Sequence, residues 1–293
     1  MINISDIRKK LQAKPEPVEI KNLREKIKSS FSALSFIEEG HIYTVSGTNL
    51  GNRKLPSVSE TVRRFEPEAD WDSIKSKYAK KNDMTVDAVD RMWGESNIKS
   101  TNNGTLTHLF GENYMAFCMG SEDFHPRIAQ QYEKGYLIPY CGKETAICSF
   151  YDDLLAIDGM WPVMSEARMY MGVDETPYPN CEPYAGTMDM LFAYIDSGGV
   201  VKPILCDWKT NKCLISDYNR TFGVTLKHPF NDMTNEPLSV YTLQLSLYQL
   251  CLMQIGIKVW DRKIVWLKDD GEYQKIPTLD VTERILKALD SRK

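Results

Sequence analysis

The chain has 293 residues, with 36 basic against 40 acidic side chains, a formal net charge of -4 and 42% hydrophobic residues. This balance excludes a histone-like polycation and a chain disordered over most of its length. No window approaches about eighteen uninterrupted apolar residues, and the first thirty positions lack a secretory apolar stretch, so the sequence reads as soluble and not secreted.

Seven cysteines, at 118, 141, 148, 181, 206, 213 and 251, form no C-x-x-C pair. The spacing predicts free thiols in a reducing compartment, not a disulfide framework or a zinc ribbon. The charge is uneven. Residues 1–81 carry 16 Lys/Arg against 11 Asp/Glu, and residues 82–293 carry 20 against 29. The acidic remainder fits a solubility feature and equally fits carboxylates gathered around a hard divalent cation.

In chain order, residues 1–30 read as a polar lead-in broken by Lys14-Pro15-Glu16-Pro17, with the core placed no earlier than Phe31. His41 to Val45 is a β-branched and aromatic run that predicts one arm of a hairpin, and Pro56-Ser57-Val58-Ser59 opens a helix through Phe65. From Trp71 to Trp93 the pattern is helical and charged. Its lysines at 75, 77, 80 and 81 are individually a solvated face and together a surface able to meet phosphates. A helix is predicted from Gly104-Thr105 to about Met119, and residues 121–160 read as mostly helical. Successive strands follow at Met164–Tyr170, Gly186–Ile195 and Val200–Trp208, then a long polar connection over 214–238 and an apolar helix over 240–253. A hairpin about Asp269-Asp270-Gly271 and a helix from Val281 close the chain. Helices before, between and after a small sheet predict one α/β domain over 31–293, with a hairpin and helical front at 31–100 and the core at 101–293.

The most informative stretch runs from Gly186 to Thr210 around the turn Asp196-Ser197-Gly198-Gly199. Pairing Asp196 with Val200 places Asp189 directly opposite Asp207, and alternation puts Lys209 on the same face. Opposed carboxylates repel, and a cation between them relieves the repulsion. Strand-end acids with a surface lysine are the bland alternative, disfavoured because Ile204-Leu205-Cys206 is too apolar for an exposed edge. Pro203 warns of a bulge that would shift the register by one residue.

These residues resemble a known family. Gly186-x-x-Asp189 followed by Asp207-Trp208-Lys209-Thr210 is similar to the active-site core of the PD-(D/E)xK nuclease superfamily, in particular its RecB-like branch. Gly104-Thr105-x-x-His108 resembles that branch's helical histidine motif, and Gln244-x-x-x-Tyr248 resembles its downstream helix. Pro56-Ser57-Val58-Ser59 and the early tryptophan are more loosely similar to phage and mitochondrial genome-maintenance exonucleases. Met188 stands where the superfamily's naming proline would be, a departure the RecB-like branch tolerates. Some relatives hold an iron-sulfur cluster on one early and three late cysteines. Here only Cys251 lies beyond 213, so no such cluster is expected.

The resemblance implies a restriction-endonuclease-like core, a small mixed sheet flanked by helices with a helical N-terminal region. It also implies a Mg²⁺- or Mn²⁺-dependent deoxyribonuclease, mostly exonucleolytic, working on single-stranded or duplex DNA ends, away from membranes and in the host cytoplasm if phage-encoded. Asp189, Asp207 and Lys209 are the expected catalytic residues. His108, Asp189, Asp207 and the Trp208 carbonyl are the expected metal ligands, with Glu166 either a further carboxylate of the site or a surface ion pair. Gln244, Tyr248, Thr210 and Glu112 are expected to support the site or the DNA. A structure-specific endonuclease on the same fold and a non-catalytic DNA-binding or virion protein are the rivals.

Overall fold

In a computed structural model of the chain, residues 15–133 and 135–292 are described. The part of the lead-in before Pro15 lies outside them. Helix α1 (Val18–Ser30) buries Ile20 and Ile27 in the main core, so the core begins ahead of Phe31. Reading 1–30 as lead-in misses this because the inward-facing positions, Ile20, Leu23 and Ile27, are few and set among charged neighbours. Next comes a meander of β1 (Leu34–Ile37), β2 (Ile42–Val45) and β3 (Arg53–Leu55). The Ser57–Glu60 capping box then opens α2 (Val58–Arg63), each side chain taking the other's backbone N–H.

Helix α3 (Trp71–Lys81) packs on α4 (Val86–Cys118), a single helix of 33 residues that passes straight through Gly94 and Gly104. The predicted start at Gly104 is therefore too late, since glycine costs a helix only about 1 kcal/mol and neighbouring turns absorb it. Residues 121–160 are also less helical than expected. They hold the short α5 (Pro126–Ala129), the hairpin β4 (Tyr132–Glu133) with β5 (Tyr136–Leu137), and α6 (Gly142–Leu155).

The strands β6 (Met160–Tyr170), β7 (Ala185–Ile195), β8 (Val201–Lys209), β9 (Asp261–Leu267) and β10 (Tyr273–Pro277) form one mixed sheet in the order β10-β9-β8-β7-β6. Only β8 and β9 are parallel. The chain between them contains α7 (Asp217–Thr221) and α8 (Pro237–Gln254). The β7–β8 register is the one the turn predicts, Ile195 with Val201 through Met190 with Cys206. Pro203 causes no bulge: it pairs with Ala193, and β9 joins only at Ile204. The irregularity falls instead in β6, between Pro162 and Met164. A helix, α9 (Thr282–Ala288), closes the chain.

The sheet separates two apolar layers. One gathers α1, α2, α8 and α9, and the other gathers the second half of α4, α6 and the Trp208 indole. Trp208 packs edge-on against Phe150 and Tyr151, with ring centroids at 5.0 and 5.7 Å. Helix α4 comes close enough that a Cβ on Gly111 would sit 2.7 Å from the Trp208 Nε1. Among the described residues no helix is long and apolar enough to cross a membrane.

Two glycines of α4 should therefore respond oppositely to alanine. A methyl group on Gly94 would project into open space, so Gly94→Ala is expected to stabilise by about 0.5–1 kcal/mol. Gly111→Ala should destabilise by about 1–3 kcal/mol through overpacking. Urea denaturation of the two variants reads both, and a stabilised Gly111→Ala would show that α4 does not press on Trp208.

Candidate functional site

The site lies at the carboxyl end of the central strand. Asp207 is 1% exposed and Asp189 8%. Ladder pairing of β7 with β8 stops at Met190, and the next free donor, the Trp208 N–H, is taken by Asp189 Oδ2 at 2.8 Å. A side chain thus replaces the ladder where the strand ends. On the other side of β7, Ser165 pairs with Met190 and Ala167 with Met188, which sets Glu166 opposite Asp189. Glu166 has φ 48°, a left-handed conformation that is rare for a non-glycine residue. The alternation breaks here too, since Met188 packs in one apolar layer and Met190 in the other.

His108 enters from α4 with Nδ1 3.4 Å from Asp189 Oδ2. His108, Glu166 and Asp189 each offer a ligand atom within 4.8 Å of one another, a group able to hold a metal ion. Glu166 thus belongs to this group of three side chains. Glu112, one turn beyond His108, is half-buried and close enough for its charge to act on Glu166. Asp207 is not in this group of three. Its Oδ1 is buried without a hydrogen-bond partner and its Oδ2 faces the Lys209 ammonium in an ion pair. Trp208 meets the group through its N–H.

Lys209 is held from α8. Its ammonium donates to Gln244 Oε1 at 3.2 Å and lies 4.2 Å above the Tyr241 ring. The Tyr241 hydroxyl donates in turn to Asn211 Oδ1 at 2.6 Å, while the Trp266 indole donates to the Asn211 carbonyl at 2.7 Å. Tyr248 is buried at 4% exposure, so it supports Gln244 from within and offers no face to a ligand. Its ring explains Gly186, where a Cβ would come within 2.8 Å of Tyr248 Cε1. Thr210 stands next to Gly104, and its carbonyl accepts from Lys143 at 2.9 Å. The sequence offers no motif for Lys143 or Asn211. Their only signal is proximity to the Asp207-Trp208-Lys209 run after folding.

The electrostatics follow from burial and opposed charge. Burial first, and then the Asp189 charge, push Glu166 up to about 8. Burial and Asp189 also raise Asp207 against the opposing pull of Lys209. For Asp189, burial is outweighed by His108, and its pKa falls. Burial would depress His108, yet the Asp189 charge and hydrogen bond lift it to about 9. Lys209 is likewise held protonated by Asp207 and Asp189 despite burial.

The donor set suits a divalent cation: two carboxylates and an imidazole converge, and a third carboxylate beside them has an unpartnered buried oxygen. No protein-family model matches the chain, and no curated protein matches its sequence.

Coordination needs Glu166 ionised and His108 neutral, whereas both hold a proton near neutral pH in the metal-free protein. Mn²⁺ affinity is therefore expected to rise from about pH 6 to about pH 9, with at least one proton released on binding. Calorimetry in two buffers of different ionisation enthalpy measures this, and a pH-independent affinity would remove both residues from the ligand set.

Proposed function

We propose that the chain is a divalent-metal-dependent deoxyribonuclease built on a PD-(D/E)xK core of the RecB-like kind. The observation that carries this reading is the convergence of His108, Glu166 and Asp189 beside an Asp207–Lys209 ion pair. A surface that only binds DNA has no use for buried acids next to phosphates. The order of the motifs along the chain supports the same reading.

Mg²⁺ or Mn²⁺ would be held by Asp189, Glu166 and His108, with Asp207 and, as the resemblance implies, the Trp208 carbonyl as further ligands. When bound, it would supply the positive charge that lets an anionic phosphodiester be attacked. The protein's own contribution is positional. Gln244 and the Tyr241 ring fix the Lys209 ammonium, where it can orient the attacking water and offset charge developing on the phosphoryl oxygens. The Trp208 N–H holds Asp189 in a single orientation. The left-handed Glu166 brings a carboxylate from the neighbouring strand to the same point.

Cleavage from DNA ends accords with His108 and with the basic surplus at the front of the chain. Within the described residues, the meander and the start of α2 are joined to the beginning of β7. Ala185 donates its N–H to the Pro56 carbonyl at 2.9 Å, and Tyr43 shares a 3.0 Å hydrogen bond with Thr187.

Asp207→Asn and Lys209→Ala are each expected to lose at least about a hundredfold in cleavage of linear DNA with Mn²⁺ while melting as cooperatively as the parent. Parental rates in either variant would sink the nuclease reading. Covalently closed single-stranded circles should survive conditions that degrade linear strands of the same sequence, and equal rates would leave an endonuclease.

A further inference from the structure

In the chain segment that follows the Lys209 strand end, two aromatic side chains are turned to solvent. Tyr218 on α7 and Phe222, the residue that caps its C-terminus one turn later, are 69% and 67% exposed, with ring centroids 4.6 Å apart and planes tilted by 46°. Single exposed apolar residues are ordinary, but two large rings forming one patch are not. An i,i+4 aromatic contact contributes only about 0.2–0.5 kcal/mol, too little to explain leaving both rings in water. At this tilt the rings do not seal each other's faces.

The segment that carries them is firmly anchored. Arg220 grips Glu236, the residue capping α8, through Nε at 2.9 Å and a terminal nitrogen at 2.7 Å. Glu236 also accepts from the Ser216 N–H at 3.1 Å. Asn219 donates to the Asn235 carbonyl, and Leu238 donates to the Leu214 carbonyl at 2.9 Å. Helix α7 is therefore fixed to the start of α8 by its polar side, leaving the aromatic side out.

The anchor also locates the patch relative to the metal centre. Tyr241, whose ring lies under the Lys209 ammonium, is five residues along α8 from Glu236, about 8 Å of helix. The exposed Lys212 lies between Lys209 and α7 in the chain. Exposed rings and an exposed lysine, carried by the segment that joins Lys209 to the helix whose Tyr241 underlies it, are the composition of a surface for unpaired nucleic acid, where bases stack and phosphates pair with lysine.

We propose that Tyr218 and Phe222 form a stacking platform for unpaired bases of the DNA strand whose phosphodiester occupies the metal centre, so that the favoured substrate is a single strand or a frayed end. This rests on the nuclease reading for its orientation. The platform itself is testable by binding alone, without cleavage.

The test is fluorescence anisotropy in EDTA with a labelled oligothymidylate of about twenty nucleotides, an abasic strand of the same phosphate count, and a blunt duplex. The Tyr218→Ala/Phe222→Ala double variant should bind the oligothymidylate about tenfold to a hundredfold more weakly, since stacking contributes about 1–3 kcal/mol per base. Its affinity for the abasic strand and the duplex should change less than about twofold. Tyr218→Phe/Phe222→Tyr, which keeps two ring faces, should bind like the parent. Unchanged oligothymidylate affinity in the double alanine variant overturns the platform, as does an equal loss on the abasic strand. A change of oligomeric state in place of a change in DNA affinity also overturns it, and would make the patch a contact between copies. If the strand binds through the rings but no DNA is cut, the platform stands and the nuclease reading falls. If DNA is cut but binding does not depend on the rings, the nuclease reading stands and the platform falls.

Discussion

Carboxylates set side by side across adjacent strands, Asp189 and Asp207 buried and Glu166 partly so, repel one another, and the arrangement at the end of β8 depends on how that repulsion is met. Asp189 has His108 against it and Asp207 has Lys209. Glu166, opposite Asp189, is placed without a cation as close, and burial next to that charge keeps it protonated to about pH 8. In the metal-free protein, protons therefore hold the acids together. A divalent cation that displaced the proton of Glu166 and that of His108 would leave the net charge of the cluster unchanged. Binding at this point is thus a substitution within a balance that the fold already maintains.

The surrounding structure is arranged to keep these groups from relaxing apart. The end of the central strand, with Asp207 and Lys209, stays paired with β9 on one side, and on the other the Asp189 carboxylate takes the Trp208 N–H where the β7 ladder has stopped, so the end is held on both sides. Trp208, between them in sequence, points to the opposite layer and is clamped by Phe150, Tyr151 and the bare backbone of Gly111. That clamp brings α4, and hence His108, onto the sheet. From the other layer, α8 contributes Gln244 and Tyr241, and the absence of a side chain at Gly186 lets Tyr248 sit beneath them. One layer supplies His108 and the other holds the Lys209 ammonium of the central strand in place, and the acids lie on the sheet between.

Much of this is legible in the sequence because it rests on period-two arithmetic and turn chemistry. The Asp196–Gly199 turn sets the β7–β8 register, and with it the neighbourhood of Asp189, Asp207 and Lys209. The elements that the sequence pattern misses have specific physical causes. Continuity of α4 through Gly104 depends on packing against α3 and α6, which glycine's propensity does not report. Ile20 and Ile27 are inward-facing residues of a helix whose other positions are mostly polar. The pattern puts Glu166 on the right strand but leaves its role open, because a left-handed residue inside a strand breaks the alternation from which facing is inferred. Tyr241, which shares a stripe with Gln244 and Tyr248, proves to be the ring beneath Lys209. Nothing in a one-dimensional pattern distinguishes that from core packing.

Everything proposed for this site turns on one divalent cation held between β6, β7 and α4. Anomalous difference maps from crystals grown with Mn²⁺ test it directly. A peak is expected within about 2.0–2.4 Å of carboxylate oxygens of both Glu166 and Asp189 and of an imidazole nitrogen of His108. A well-occupied Mn²⁺ found elsewhere on the protein, with these three side chains unliganded, would contradict it.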